Sequence, residues 1–236
     1  MEIIFETSTL ESQNLYLLEK YGFCNVQITN KQKGNNLQIY RELKNKYPKL
    51  SYNLTYSVLN NYGKTKLEVL QNFTSFASNL TLPLLVSGSN PNKTTSLEIL
   101  QNINFGVAVA FNPFLEQDYR RLIQKIQTGN VGEIYFQIGF DELVIGKYAK
   151  LIQREFPKIK IVISVLFASS KLLSNWSFRP WKGVFLDTNF LKSVEIADLE
   201  SYKLLKFCKE NNLDVLCTVF GNWEERLIKI KEICQS

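Results

Sequence analysis

Eight short β-rich runs, each followed by enough chain for a helix, fill nearly the whole sequence. They are Glu2–Glu6, Asn25–Thr29, Tyr52–Val58, Leu82–Ser87, Gly106–Ala110, Glu133–Ile138, Lys160–Leu166 and Asp214–Val219. Strands that alternate with helix-length segments build a parallel sheet, because parallel neighbours need a long crossover. Eight such units predict a single (β/α)8 TIM-type α/β barrel domain over 1–236, with its chemistry at the C-terminal ends of the strands. An open doubly wound sheet is the alternative, but no Gly-x-Gly-x-x-Gly follows the first run, which weakens its dinucleotide-binding form. A ninth run, Gly183–Leu186, competes for the closing place.

Between the runs lie the expected helices. Ser12–Tyr21 ends at Gly22, a C-terminal terminator, and Leu37–Tyr47 stops at Pro48. Leu67–Asn79 precedes the fourth strand, and Ser96 is the expected cap of Leu97–Asn102. Glu116–Thr128 carries Tyr119, Leu122, Ile123 and Ile126 close to a 3.6-residue period. Ile145–Phe156 repeats that pattern before Pro157, and Leu199–Asn211 leads into the last strand.

At 236 residues, 45% apolar and 21% charged, the chain can bury a large core and reads as globular. It has no run near the roughly 20 apolar residues of a membrane span, and Met1–Glu6 runs into a strand without a basic leader. The four cysteines, Cys24, Cys208, Cys217 and Cys234, show no paired spacing, so reduced thiols in a cytoplasmic protein are expected, with Cys208 and Cys217 at core positions.

Histidine is absent altogether. That removes Ser-His-Asp acyl transfer, histidine-ligated metal hydrolysis and Cys/His zinc sites. Proton transfer near neutral pH falls to a carboxylate, Lys, Tyr, Cys, water or a cofactor. The net charge of +6 favours anionic ligands, but the basic residues fall mostly on predicted helices, as solvated faces do, so no specific nucleic-acid partner is expected.

Glu6 ends the first strand, where a carboxylate over a barrel mouth can donate or accept a proton. Thr29 and Asn30 end the second strand and can bond a ring, a phosphate or a local turn. Leu84–Val86 runs into the small-residue loop Ser87–Gly88–Ser89, whose amides can approach a ligand closely. Gln137 interrupts the apolar Ile134–Tyr135–Phe136 and Ile138, and Asp141 follows. A primary amide there can pair the donor–acceptor edge of a fused heterocycle or join a core network. Phe111, Phe140 and Phe167 follow strands and can stack on a planar ring or cover the barrel top.

Taken in order, these segments resemble the methylenetetrahydrofolate reductase family, a flavin-dependent barrel. Glu6 is similar to its strand-one acid, and Thr29 lies in a segment like its Ser-Val-Thr. Asn53–Leu54–Thr55 resembles His-Leu-Thr, and Leu84–Ser89 resembles Leu-x-Leu-Arg-Gly-Asp. Gly106–Phe111 resembles the segment before its Tyr-Pro-Glu, and Leu122–Gly129, with Lys125, its Leu-Lys-x-Lys-Val-x-x-Gly helix. Phe136–Asp141 is similar to Thr-Gln-x-x-Phe-Asp, and Ile161–Leu166 to Ile-x-Pro-Gly-Ile. The order holds over about 1–170 and more loosely to Asn222.

The resemblance implies FAD at the barrel mouth, reduced by NAD(P)H, and hydride delivery to 5,10-methylenetetrahydrofolate to give 5-methyltetrahydrofolate. Glu6 would be the general acid. Thr29, Asn53, Gly88, Ser89, Phe111 and Lys125 would hold the cofactor, and Gln137 and Phe167 the folate. Small molecules would be the partners, with no membrane and with self-association left open. The chain departs from the pattern in three places: Thr7 and Ser8 replace Phe-Phe-Pro-Pro, Asn53 replaces His, and Ser87–Gly88–Ser89 replaces Arg-Gly-Asp. Two alternatives follow from those changes, a non-catalytic barrel serving as a binding or assembly module and a folate-linked methyltransferase.

Overall fold

Eight parallel strands hydrogen-bond in sequence order, and the eighth returns to the first, closing a barrel. They are β1 (Ile3–Thr7), β2 (Asn25–Ile28), β3 (Ser51–Ser57), β4 (Leu84–Val86), β5 (Val107–Phe111), β6 (Val131–Phe136), β7 (Lys160–Phe167) and β8 (Asp214–Val219). The structure is a computed structural model that describes residues 1–7, 14–29, 36–58, 64–78, 80–87, 94–181 and 183–235. Ile3 pairs with Val215 and Phe5 with Cys217, so the run Asp214–Val219 is the closing strand. Gly183–Leu186 forms no strand, and Val184 within it is buried in the connection that follows β7.

The crossovers are α1 (Leu15–Tyr21), α2 (Asn36–Lys46), α3 (Lys66–Ala77), α4 (Ser96–Leu100), α5 (Glu116–Ile126), α6 (Glu142–Glu155), α7 (Ser170–Trp176), α8 (Val194–Glu210) and α9 (Trp223–Gln235). Gly22 ends α1 in the left-handed region at φ 81, a conformation that costs a residue with a Cβ roughly 1–2 kcal/mol. The cap of α4 is Thr95 rather than Ser96: its hydroxyl accepts from Glu98 N–H while the Glu98 carboxylate reaches back to Thr95 N–H. A Thr-x-x-Glu box satisfies two orphan donors, which is why it wins over the neighbouring serine.

Side chains alternate across each strand and split the core in two. The outer face, with Phe5, Leu54, Val109, Phe111, Ile134, Phe136, Val165 and Phe167, packs under the helices in one large cluster. Cys208 of α8 and Cys217 of β8 are fully buried there, and burial pushes the Cys208 thiol up to about 12. The inner face holds a second, separate cluster of Ile4, Leu84, Ala108, Tyr135, Val162 and Leu216. Each fully buried Leu, Ile, Val or Phe contributes roughly 1.5–3 kcal/mol. Among the described residues, no helix is long and apolar enough to cross a membrane.

Candidate active site

The inner apolar cluster is a plug, and the residues two positions further along the same strands lie above it on the inner face, towards the C-terminal ends. Ile4 leads to Glu6, Leu84 to Val86, Ala108 to Ala110, Tyr135 to Gln137, Val162 to Ser164 and Leu216 to Thr218. Gln137 lies one residue beyond β6, but its N–H donates to Phe111 O at 2.7 Å, which carries the ladder and the alternation through it. Four of these six side chains are polar, although strands in a closed parallel barrel are usually apolar on both faces. Glu6 and Gln137 therefore both lie on the inner face above the plug, towards the same end of the barrel. Val86 and Ala110, both half-buried, are the apolar members of this set.

Two further polar residues, Gln27 and Thr55, stand beside them. Gln27 faces Glu6 across the β1–β2 ladder, and its amide Nε2 donates to the Thr55 hydroxyl at 2.8 Å. Gln27 is fully buried, and its carbonyl Oε1 has no hydrogen-bond partner. The Thr218 hydroxyl, almost fully buried, donates to the Glu6 carboxylate and holds one of its oxygens. The Glu6 carboxylate is thus fixed by a neighbour on β8 while the mouth lies on its C-terminal side.

The other expected site residues divide sharply. Thr29 reaches the mouth at the end of β2, where its hydroxyl donates to Thr7 O at 3.2 Å. Asn53 points the other way along the barrel, donating to Leu82 O at 2.6 Å before β4 begins, near the N-terminal end. That end also holds Glu133, whose carboxylate accepts from Tyr135 Oη at 3.4 Å and whose pKa burial raises. Phe111 and Phe167 lie on the outer face. Phe111 packs edge-on against Phe136 and Tyr148, and Phe167 lies tilted against Tyr202. Lys125 sits between α5 and the sheet with Nζ 3.3 Å from Ala110 O, and burial lowers its pKa. Phe111, Phe167, Lys125 and Asn53 accordingly leave the candidate site: the first three are behind the sheet, and the last is at the wrong end. Phe140 is covered by Phe190, with ring centroids 4.4 Å apart. Asp141 caps α6 by accepting from Leu143 and Val144 N–H at 3.0 and 3.1 Å. Gly88, Ser89 and Asn30 lie outside the described residues.

The connection from α7 to α8 roofs one side of the mouth. It brings Trp181, Val184 and Phe190 over Ile138, Leu166 and Ala168 in a cluster of its own. Asn112, just past β5, pins it by donating to Gly183 O at 2.7 Å. The ends of β7 and β8 are tied by Arg226 of α9, which is 1% exposed. Its guanidinium donates to Ala168, Phe220 and Gly221 carbonyls at 2.7, 2.7 and 2.9 Å, and its Nε to Asp198 Oδ2 at 3.1 Å.

No metal-binding cluster of three or more Asp, Glu or Cys side chains occurs among the described residues. Among the described residues, the arrangement is a buried carboxylate with the Gln137 amide towards the same end and the fully buried Gln27 amide beside it. That set can orient a neutral heterocycle by its polar edge and exchange one proton with it. Comparison with known proteins finds no matching family model and no matching curated protein. Gln27 and Thr218 escaped the sequence reading, though Gln27 carries the signal that marked Gln137: an amide between two apolar strand residues, here Val26 and Ile28.

Proposed function

We propose that the chain is a flavin-linked oxidoreductase of one-carbon metabolism, reducing 5,10-methylenetetrahydrofolate to 5-methyltetrahydrofolate at the expense of NAD(P)H. The observation that supports this reading is that Glu6 and Gln137 both lie on the inner face towards the C-terminal end of the barrel. Gln137 offers a donor and an acceptor to the edge of the pterin ring, and Ala110 and Val86 leave an apolar floor beside it. Glu6, steadied by Thr218, protonates the ring nitrogen as the bridging carbon–nitrogen bond opens. When bound, FAD supplies the hydride. Of the residues expected to hold it, Thr29 alone among the described ones stands in the mouth, with Ser87 leading into the loop that carries Gly88 and Ser89. The withdrawal of Asn53, Phe111 and Lys125 favours a second reading, a barrel that binds a reduced folate without flavin, either for methyl transfer or as a binding module.

An absorbance titration of the purified protein with FAD, followed by anaerobic reduction with NAD(P)H and addition of the folate, separates them. The first reading expects a saturable shift in the flavin bands and folate-dependent reoxidation. Folate binding with no flavin affinity overturns it in favour of the second, and binding of neither overturns both.

A further inference from the structure

We infer that Phe114, and not Phe111 or Phe167, is the aromatic surface against which a planar ring held by Gln137 lies. The inference rests on the reading of the mouth as a heterocycle site and names the side chain that meets the face of that ring.

Its first support is Gly139, two residues past Gln137. A Cβ built on Gly139 would stand 2.1 Å from Phe114 Cε2 and 2.3 Å from Cζ. The Phe114 ring therefore fills the place that a side chain at 139 would take, resting directly on the backbone of the Gln137 loop. Glycine permits this approach because it has no Cβ. Placing the ring there ties the loop after β5 to the loop after β6, so the aromatic surface and the amide move together.

The second support is access. Phe111 is 1% exposed and Phe167 is fully buried, while Phe140, itself half-buried, has its ring against Phe190. Phe114 remains half-buried, and beside it Phe185 is 50% exposed, with ring centroids 6.1 Å apart at 51°. Aromatic surfaces recognise a planar ring by its face, at offset or tilted geometries with centroids about 4.5–7 Å apart.

The third is rigidity. Phe114 N–H donates to Asn112 Oδ1 at 3.1 Å, Asn112 N–H donates to Asp118 Oδ2 at 2.8 Å, and the Asn112 amide donates to Gly183 O. One asparagine thus fixes the Phe114 turn, the start of α5 and the roof. A surface held in this way loses little freedom when a ligand arrives.

The ligand class that fits is a flat heteroaromatic ring with a donor–acceptor edge. Gln137 would pair the edge while Phe114 meets a face. The test is the affinity of the full chain for 5-methyltetrahydrofolate, measured by calorimetry, in wild type and in Phe114→Leu, Phe114→Tyr, Gly139→Ala and Gln137→Ala variants. Removing an aromatic stacking partner typically weakens binding about tenfold. Phe114→Leu is expected to show that loss, Phe114→Tyr to retain wild-type affinity, and Gly139→Ala, which displaces the ring, to match the leucine variant. Wild-type affinity in Phe114→Leu together with a loss in Gln137→Ala overturns the inference and spares the reading of the site. If the leucine variant does not fold, the tyrosine and alanine variants decide: equal affinity in the two overturns it. Failure of the wild type to bind overturns the inference and that reading together.

Discussion

Replacing Arg226 by methionine would remove the clamp that joins the ends of β7 and β8 to α8 and α9. The guanidinium is 1% exposed and its partner Asp198 20% exposed, so one side of the pair is dry and the other touches water. Nη2 stands 2.8 Å from Asp198 Oδ1 but is aligned on Ala168 O, leaving Oδ1 with a charge contact rather than a directed bond. Breaking a buried pair by removing one partner costs roughly 3–5 kcal/mol, and the partial exposure of Asp198 places this pair at about 3. Four backbone carbonyls, those of Phe167, Ala168, Phe220 and Gly221, also lose a charged donor, and the last two can take water instead. A total near ~4 kcal/mol, set against a typical stability of roughly 5–15 kcal/mol, leaves a folded but weakened protein. For a domain of this length that corresponds to a fall in Tm of about 8–16 °C. Thermal melts followed by circular dichroism measure it. Asp198→Asn should cost less than Arg226→Met, and the double variant should fall short of the sum, because the two side chains share one interaction. A drop below about 3 °C for Arg226→Met would refute the clamp.

Glu133 makes a pH prediction. Burial raises its carboxyl, with Lys160 Nζ 4.0 Å away opposing the shift, so the folded state keeps its proton to higher pH than the unfolded chain. Its contribution is therefore fully present below the unfolded value of about 4.3 and is lost as pH rises through the folded one. Urea melts at about pH 4 and 7 should show the wild type losing stability relative to Glu133→Gln on going up; a constant difference would contradict this. Thr218→Val removes the buried hydroxyl that donates to the Glu6 carboxylate, an expected loss of about 1–3 kcal/mol by denaturant melt. If the same substitution costs as much in a Glu6→Gln background, the two residues are not coupled.

The barrel was legible because eight runs of β-forming residues at helix-length spacing leave few other topologies. Even the doubtful closing strand, Asp214–Val219, stands where its sequence suggested. Which face each residue occupies was harder to read. In a closed parallel barrel both faces are covered, so apolar residues line the strand continuously and the period of two fades. Gly106–Val107–Ala108–Val109–Ala110–Phe111 did carry a signal, since the small Ala108 and Ala110 face the crowded interior while the larger residues face the helices. Counting parity from there puts Phe111 outside. Lys125 misled because a long side chain can lie beneath a sheet as readily as reach a site, with its stem in the apolar layer. Two helices, α7 (Ser170–Trp176) and α9 (Trp223–Gln235), were not among the expected ones. Phe114 was invisible from sequence, since its placement depends on the absence of a side chain at Gly139, one loop away.

The proposed site requires Glu6 and Gln137 to serve one ligand from the same end of the barrel. A double-mutant cycle on the affinity for 5-methyltetrahydrofolate, with Glu6→Gln, Gln137→Ala and their combination, tests this directly. Residues that share a bound ring should couple by about 0.5–3 kcal/mol, with Gln137→Ala alone weakening binding by about tenfold or more. Strict additivity, or affinity unchanged in all three variants, would contradict it.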